Sequence, residues 1–419
     1  MTKLRNIAFI ASILLLCQGF PFSLVGLPQY LGQQVAAAVI LLGGMGWAFL
    51  AIRGFVKIGP WEIGIIAFFA YCALVSLISN TLIFPQAWSG WVPAFYTIVP
   101  VLLILPLRAM RVKVGHVISA IILVAAVGAF LQDLDQFHNL GFLDQYVRGS
   151  YLGSTRRLEL FRTEMAFALV MCFARLLNTK KWRRRLLDLT VILLVGFALF
   201  VVAEGRLPIA ASIIGCSIYL LVMYKNSKKP LVVSICIILA VAILPALLGK
   251  YIHYLNNIGD IRVNDRGVAF RAIEWVHFET IFEKTHGIGL GVMSTGADKN
   301  NVLSFATNYA GYLYGTGSYG AGLVDTGLWA AMFQFGYIGL ALVIGMTVAV
   351  VRKLWMTGRV SDEYHNRIEC GALAAVVIGF MISPLPTNFF TTVLYTQYGG
   401  LLWFLAATAV SPYNKVANR

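Results

Sequence analysis

Apolar runs of about 20 residues recur from one end of this chain to the other, separated by polar breaks. Because an α-helix rises about 1.5 Å per residue, a run of this length crosses the hydrocarbon core of a bilayer, about 30 Å thick. The runs predict twelve spans, near residues 7–25, 33–52, 61–79, 90–107, 114–132, 162–177, 187–203, 207–224, 230–249, 326–351, 369–384 and 389–411. The expected fold is an all-α polytopic membrane protein.

The composition agrees with that class and excludes a soluble one. The chain is 59% hydrophobic and 12% charged, whereas about a quarter of the residues in an average soluble domain are charged. The six cysteines lie in or beside the apolar runs and lack metal-binding spacing, so they are expected to be packing residues.

The formal net charge of +15 is interpreted as a signature of topology. If the N-terminus is cytoplasmic, every strongly basic short break lies on the cytoplasmic side, as the positive-inside rule requires, and the C-terminus is cytoplasmic too. The residues concerned are Arg53, Lys57, Arg108, Arg111, Lys113, Lys180, Lys181, Arg183, Arg184, Arg185, Lys225, Lys228, Lys229, Arg352, Lys353 and Arg359. Nucleic-acid binders instead gather such residues on one soluble face, so membrane lipids are the expected partners and nucleic acid is not.

Two breaks on the predicted outer side are too long to be simple turns, and loops of this length are usually functional. They cover 132–161 and 250–325, and the second is rich in Gly, Asn and Tyr. The predicted organisation is a bundle of spans one to nine at 1–249, a large outer loop with short helices at 250–325, and spans ten to twelve at 326–419. The large loop is expected to form a cap over the outer face.

Ionisable side chains are costly at membrane depth and tend to mark functional sites. Glu204-Gly205-Arg206 forms a short predicted turn between spans seven and eight. The guanidinium of Arg206 suits a phosphate, because its fork of N–H donors matches phosphate oxygens. A tight hairpin closed by one Glu–Arg pair is the alternative interpretation.

A second cluster lies in the large outer loop. Asp265 and Arg266 precede a predicted helix on which Arg271 and Glu274 are i, i+3 neighbours that can pair. The glycine-rich stretch at 286–291 follows, and it matches neither a phosphate-binding loop nor a dinucleotide fingerprint. A solvated helix with ordinary surface ion pairs explains the cluster equally well.

A third candidate is Asp325, which closes the large loop before span ten, with Gly336 and Gly339 beyond it. An acid there is either a helix cap or a general base at the mouth of a cavity. Asp133 and Asp135, at the start of the first outer loop, resemble a metal-binding DxD pair. A tripeptide of this kind is common by chance, so no metal is predicted.

Three of these stretches resemble the bacterial O-antigen ligase/polymerase superfamily, membrane glycosyltransferases of the GT-C type. Glu204-Gly205-Arg206 looks like the family's Ser-Arg-Gly-type turn, residues 266–291 like its Arg…Trp…Gly-x-Gly-x-Gly segment, and residues 325–340 like the entry to its next span. Ligases of the family typically carry a His-Asn pair where this chain has Asp325. That departure favours a polymerase.

The resemblance implies a multi-pass protein of the bacterial inner membrane whose site faces the periplasm. The substrate would be an undecaprenyl-diphosphate-linked glycan, with a chain-length regulator as a further partner and without cofactor or metal. Arg206, Arg266 and Arg271 would bind the diphosphate, and Asp325, or else Glu204, would act on the acceptor hydroxyl during an inverting transfer. The alternatives are a ligase acting on lipid A-core, another transferase of this type, and a transporter or flippase.

Overall fold

A computed structural model describes residues 2–85, 88, 92–138, 143, 147–148, 157–158, 161–202, 206–224, 279–280, 282–292, 329–361, 364–382 and 397–408. These residues form an all-helical protein apart from one two-residue antiparallel strand pair, β1 (Val147–Arg148) and β2 (Arg157–Leu158). The strands lie between the fifth and sixth predicted spans.

The helices follow one another along the chain, and several are extended by irregular turns. In chain order they are α1 (Thr2–Cys17), α2 (Phe20–Ser23), α3 (Gln29–Ile52), α4 (Pro60–Ile78) with a π-helical turn (Ser79–Ile83), 3-10 turns at Pro93–Thr97 and Val99–Leu103, α5 (Ile104–Ala109), α6 (Val114–His138), α7 (Arg162–Asn178), α8 (Trp182–Phe197) with a π-helical turn (Ala198–Val202), α9 (Arg206–Ile218) with a π-helical turn (Tyr219–Met223), α10 (Trp329–Val360), α11 (Tyr364–Ile382) and α12 (Gln397–Thr408).

Five helices in the described part of the chain are long and apolar enough to cross a membrane. They are Leu31–Ile52, Pro60–Ile83, Val114–His138, Trp182–Val202 and Ala331–Val360, with mean hydropathies between 1.9 and 2.4. Large apolar side chains also cover their outer surfaces: Leu42 and Met45 are each 68% exposed and Leu193 is 65% exposed. Exposed apolar surface on this scale indicates contact with lipid. The protein is a multi-pass membrane protein.

Five of the twelve predicted spans are confirmed as such helices, namely 33–52, 61–79, 114–132, 187–203 and 326–351. The ninth, 230–249, lies outside the described residues. The described parts of the others form shorter helical segments.

The predicted fourth span, 90–107, is not one regular helix. Its first part forms two 3-10 turns that begin at Pro93 and Val99, and only its end is α-helical. Pro100 lacks an amide hydrogen, which disfavours a regular helix through this stretch. Residues 99–107 are almost completely buried, and irregular backbone is tolerated at membrane depth where protein surrounds it.

The predicted first span, 7–25, also ends early. Helix α1 stops at Cys17, and Gly19 adopts a left-handed conformation with φ of 68° before the short helix α2. Helix α3 crosses closely at this point, since a Cβ atom on Gly32 would lie 2.8 Å from the Cα atom of Gly19. The apolar run therefore turns back at its outer end instead of continuing as one helix.

Side-chain contacts fix the directions of the first helices. Asn6 near the start of α1 contacts His116 near the start of α6, at 3.3 Å. Gln18, just after α1, donates to Glu164 at the start of α7, at 3.2 Å. Helices α1 and α6 therefore run in the same direction, and α7 runs in the opposite direction.

Further contacts show which ends of the later helices lie together. Arg175 near the end of α7 pairs with Glu369 near the start of α11 at 2.7 Å, and Asn178 donates to Tyr219 at the end of α9 at 2.9 Å. Arg108, just before α6, pairs with Glu62 at the start of α4, at 2.7 Å. We call the end of the bundle that holds these pairs the basic end. The described basic residues of the predicted cytoplasmic loops all lie there.

We call the other end of the bundle the opposite end. A different set of helix starts and ends lies there. Helices α1, α4 and α6 finish there, and α7, α9 and α10 begin there. The interior between the two ends is packed through small residues: a Cβ atom on Gly215 of α9 would lie 3.1 Å from the Cα atom of Val376 in α11. Small residues allow such close helix contacts where lipid supplies no hydrophobic driving force.

Candidate functional site

The predicted site residues fall mostly outside the part of the chain that the structure describes. Glu204, Arg266, Arg271 and Asp325 lie outside the described residues. Arg206 is the first residue of α9, so its backbone lies at the opposite end, but its side chain is not among the described ones. The chemical roles assigned to these five side chains stay predictions.

The glycine-rich stretch after the second cluster is described, together with its neighbours. We call residues 285–292 the Gly-rich segment. Thr285 is buried, His286 and Ile288 are exposed, and the last four residues, Gly289 to Val292, are buried in the bundle. This part of the large loop is therefore inserted between helices, whereas the sequence predicts a cap over the outer face.

The segment meets α10 where that helix is broken. Gly336 has φ of 72° and ψ of −175°, outside the helical region. Such a break takes the carbonyl oxygens of the preceding turn away from their usual helical donors. At membrane depth those carbonyls need other partners, because no water is present to supply them.

The three consecutive carbonyls before the break accept hydrogen bonds from groups outside α10. The amide of Leu290 donates to the carbonyl of Phe333 at 2.9 Å, and the amide of Gly291 to that of Gln334 at 2.6 Å. The hydroxyl of Tyr71 in α4 donates to the carbonyl of Phe335 at 2.7 Å. The broken helix is thus completed by the Gly-rich segment on one side and by α4 on the other.

Close backbone approach explains why glycines occupy both sides of this contact. A Cβ atom on Gly289 would lie 2.5 Å from the amide nitrogen of Gly336, and one on Gly336 would lie 2.5 Å from the carbonyl oxygen of Ile288. Both residues also have positive φ, at 98° and 72°, a region that glycine enters without the steric cost other residues meet. One glycine from each tract noted in the sequence, Gly289 and Gly336, therefore forms this junction.

Helix α4 holds the end of the Gly-rich segment through side chains. The amide of Val292 donates to Oγ of Ser76 at 2.9 Å, and Nδ2 of Asn80 donates to the carbonyl of Val292 at 2.9 Å. Both side chains are 0% exposed. Asn80 lies in the π-helical turn that ends α4, and π-helical turns occur frequently at functional sites.

No model of a known protein family matches this sequence, and no curated protein matches it either. The function is therefore inferred from the residues and from the geometry around them.

Further buried polar side chains lie near the opposite end, on α6 and α7. Gln132, Asp135 and Glu164 are all 0% exposed, and Glu164 accepts from Gln18. The sequence places Asp133 and Asp135 in a loop, but α6 continues to His138, so both are helical. Residues two apart on a helix do not face each other, which separates this pair from a loop-borne metal-binding DxD.

Within the described helices of the bundle, acidic side chains avoid the middle of the membrane. Each Asp and Glu lies within two helical turns of a helix end. Across the residues that the structure describes, no three His, Cys, Asp or Glu side chains come together. The acidic side chains of the described helices therefore lie near helix ends.

Sequence reasoning missed Tyr71, Ser76 and Asn80. The available signal is a polar interruption in the apolar run of α4, where Ser76, Ser79 and Asn80 follow each other within five residues. Their partners are more than 200 residues away along the chain, and such pairings are not visible in one sequence.

Proposed function

We propose that this protein is a bacterial membrane glycosyltransferase of the GT-C type, a polymerase of surface polysaccharide such as O-antigen or exopolysaccharide. It transfers a glycan from undecaprenyl diphosphate to the sugar of another lipid-linked repeat. The transfer needs no metal and inverts the anomeric centre. A chain-length regulator protein is a further proposed partner.

The observation that supports this proposal is a convergence at the opposite end of the bundle. Arg206 begins α9 there. Asp325 precedes Trp329, the first residue of α10, by four positions, and Arg271 precedes Phe282 by eleven. Three predicted site stretches, far apart in sequence, therefore adjoin described segments that meet at one end.

The charge distribution supports a site on the periplasmic side. Basic residues are retained on the cytoplasmic side of a membrane protein, and those of the described loops lie at the basic end. The proposed orientation has the basic end in the cytoplasm of a bacterial inner membrane and the opposite end at the periplasm, where lipid-linked repeats are polymerised.

The proposed reaction assigns each site residue one task. Arg206, Arg266 and Arg271 bind the diphosphate and stabilise the negative charge that develops on it as the bond to the anomeric carbon breaks. Asp325, or in its place Glu204, takes the proton from the acceptor hydroxyl as its oxygen bonds to that carbon. Undecaprenyl diphosphate leaves with the electron pair of the broken bond.

A transporter or flippase for the same lipid-linked glycan is the second candidate, favoured by the break in α10. Transporters often build their sites from discontinuous helices near the middle of the membrane. In this protein the break at Gly336 is six residues into a candidate span of 30 residues, Ala331–Val360. The carbonyl just before the break binds Tyr71, the twelfth of the 24 residues of the span Pro60–Ile83, and this depth keeps a transporter as the second candidate. The acidic side chains of the described helices lie near helix ends, and that distribution favours the polymerase.

Product analysis after deletion of the gene tests the proposal. Surface glycans are resolved by size, and their lipid or core attachment is identified. We expect loss of long chains, with single repeats still transferred to the final acceptor. Full-length chains that accumulate on undecaprenyl diphosphate would indicate a ligase instead. Single lipid-linked repeats held on the cytoplasmic side would indicate a flippase.

A further inference from the structure

Two lysines flank the contact that joins α1 to α6 at the basic end. Asn6 of α1 is 1% exposed, and its side-chain nitrogen lies 3.3 Å from Nδ1 of His116 in α6. Lys3 lies three residues before Asn6 on the same helix, and Lys113 lies three residues before His116. Residues three apart on a helix are neighbours on its surface, so each lysine lies beside one member of the contact.

The turn that begins α6 holds Lys113 next to His116. The amide of His116 donates to the carbonyl of Lys113 at 2.9 Å, which closes one turn between them. Lys3 acts electrostatically on the His116 ring from across the contact, as Lys113 does from its own side. Both lysines are exposed and His116 is half-buried. The start of α1 and the start of α6 therefore present three basic side chains together on the surface of the bundle.

The described acidic side chains of the basic end do not offset these charges. Glu62 and Glu369 each bind an arginine at 2.7 Å, and Asp188 is only 4% exposed. Within the part of the chain that the structure describes, Lys3 and Lys113 form no ion pair. Because like charges held close together repel one another, the arrangement favours binding of an anion between them.

The depth of these residues in the membrane selects a lipid as the source of that anion. His116 is the third residue of the candidate span Val114–His138, so the three basic side chains lie at the level of the lipid headgroups. Lysine side chains at the ends of spans extend their ammonium groups into that region. Leu4, the residue after Lys3, is 74% exposed, which agrees with a surface that faces lipid.

We propose that Lys3, Lys113 and His116 form a binding site for one anionic phospholipid. The phosphate oxygens accept hydrogen bonds from the two ammonium groups, and hydrogen bonds of this charged kind are roughly twice as strong as neutral ones. With Asn6 donating to Nδ1, His116 keeps its ring hydrogen on Nε2 as a further donor to the headgroup. The site is separate from the proposed transfer site, which lies at the opposite end of the bundle.

Native mass spectrometry of the purified protein, titrated in detergent with dioleoylphosphatidylglycerol, measures the affinity for the first lipid bound. We expect Lys3→Gln or Lys113→Gln to weaken that affinity about fivefold and the double variant about 25-fold, as the usual contribution of one lysine near a headgroup predicts. Lys113→Arg keeps the charge and should stay within about twofold of the parent protein. The matched control is Lys57→Gln combined with Arg359→Gln, which removes two exposed charges elsewhere at the basic end and should also stay within about twofold.

Two further probes distinguish a lipid headgroup from other sources of phosphate. Dioleoylphosphatidylcholine has the same phosphate without net charge, so it should bind about tenfold more weakly, and an excess of inorganic phosphate should leave phosphatidylglycerol bound. Displacement by inorganic phosphate would indicate a site for a free anion and would overturn the assignment to a lipid. Equal affinities of the lysine double variant and its control would show attraction by overall charge alone and would overturn the site. A loss in Lys113→Arg as large as in Lys113→Gln would overturn it as well.

Discussion

The hydroxyl of Tyr71 donates to the backbone carbonyl of Phe335, with 2.7 Å between the two oxygens. This bond replaces a helical hydrogen bond that the break at Gly336 removes. Tyr71→Phe deletes the donor and keeps the ring, so we expect a loss of about 1–2 kcal/mol in the free energy of unfolding. The measurement is denaturation of the purified protein in detergent.

Tyr337→Phe is the control for that measurement. Tyr337 is 64% exposed and its ring, not its hydroxyl, makes the contact with Phe282. Its substitution should leave stability within about 0.5 kcal/mol of the parent protein, as is usual for surface changes. Equal stability of the two variants would mean that the Tyr71 bond contributes little.

Two glycines of α10 are expected to respond to alanine in opposite ways. Gly336→Ala meets a positive φ and the carbonyl oxygens of Gly287 and Ile288, so we expect at least about 2 kcal/mol of destabilisation. Gly345 is in regular helix with nothing within 4 Å of its added Cβ atom, and Gly345→Ala should be neutral or stabilising by up to about 1 kcal/mol. Thermal unfolding of the two variants in one detergent gives the comparison. A stable Gly336→Ala variant would argue against the observed break.

Arg206 is expected to bind the donor diphosphate. Arg206→Ala should lower the rate of glycan transfer by a factor of about 100 or more, as loss of one charge-stabilising donor does. Arg206→Lys keeps the charge without the planar fork and should fall between. The assay measures polymer length with purified lipid-linked donor.

Arg183→Ala serves as the charge-matched control for Arg206, because Arg183 lies near the start of α8 at the basic end. Its transfer rate should equal that of the parent protein. If Arg206→Ala is equally active at the same amount of folded protein, the diphosphate site lies elsewhere.

The proposed orientation predicts which end reacts from outside the cell. Leu27, between α2 and α3, is 44% exposed and lies at the opposite end, whereas Lys181 is exposed at the basic end. In spheroplasts, a membrane-impermeant maleimide should label Leu27→Cys and should label Lys181→Cys only after lysis. Reversed labelling would place the basic end outside and contradict the proposed topology.

The existence of the membrane helices could be predicted from the sequence because hydropathy over 20 residues reports burial in lipid directly. Where the backbone departs from a straight helix, hydropathy gives no signal. The runs at 7–25 and 90–107 are apolar throughout, yet Gly19 turns the first and prolines give the second 3-10 turns. In both places the local backbone requirement of glycine or proline, and not polarity, decides the path.

The glycine tracts show a different limit. Their unusual density at 286–291 is visible in the sequence, and loop or phosphate-binding roles are what such density ordinarily indicates. In the structure they allow close contact with two helices, Gly289 with Gly336 of α10 and Gly291 with Ser76 of α4. A single sequence contains no information on that pairing, and the same holds for Ser76 and Asn80. The charged candidates, in contrast, are identified by sequence alone, and their roles stay predictions.

The break in α10 has a consequence for biogenesis. The ribosome makes Leu290 and Gly291 before the carbonyls of Phe333 and Gln334 that their amides bind. Unpaired amides are strongly disfavoured in hydrocarbon, so the buried part of the Gly-rich segment has to wait outside the bilayer until α10 has been synthesised and inserted. Docking of that segment is thus a late step of assembly, and it joins an early helix of the chain to a late one.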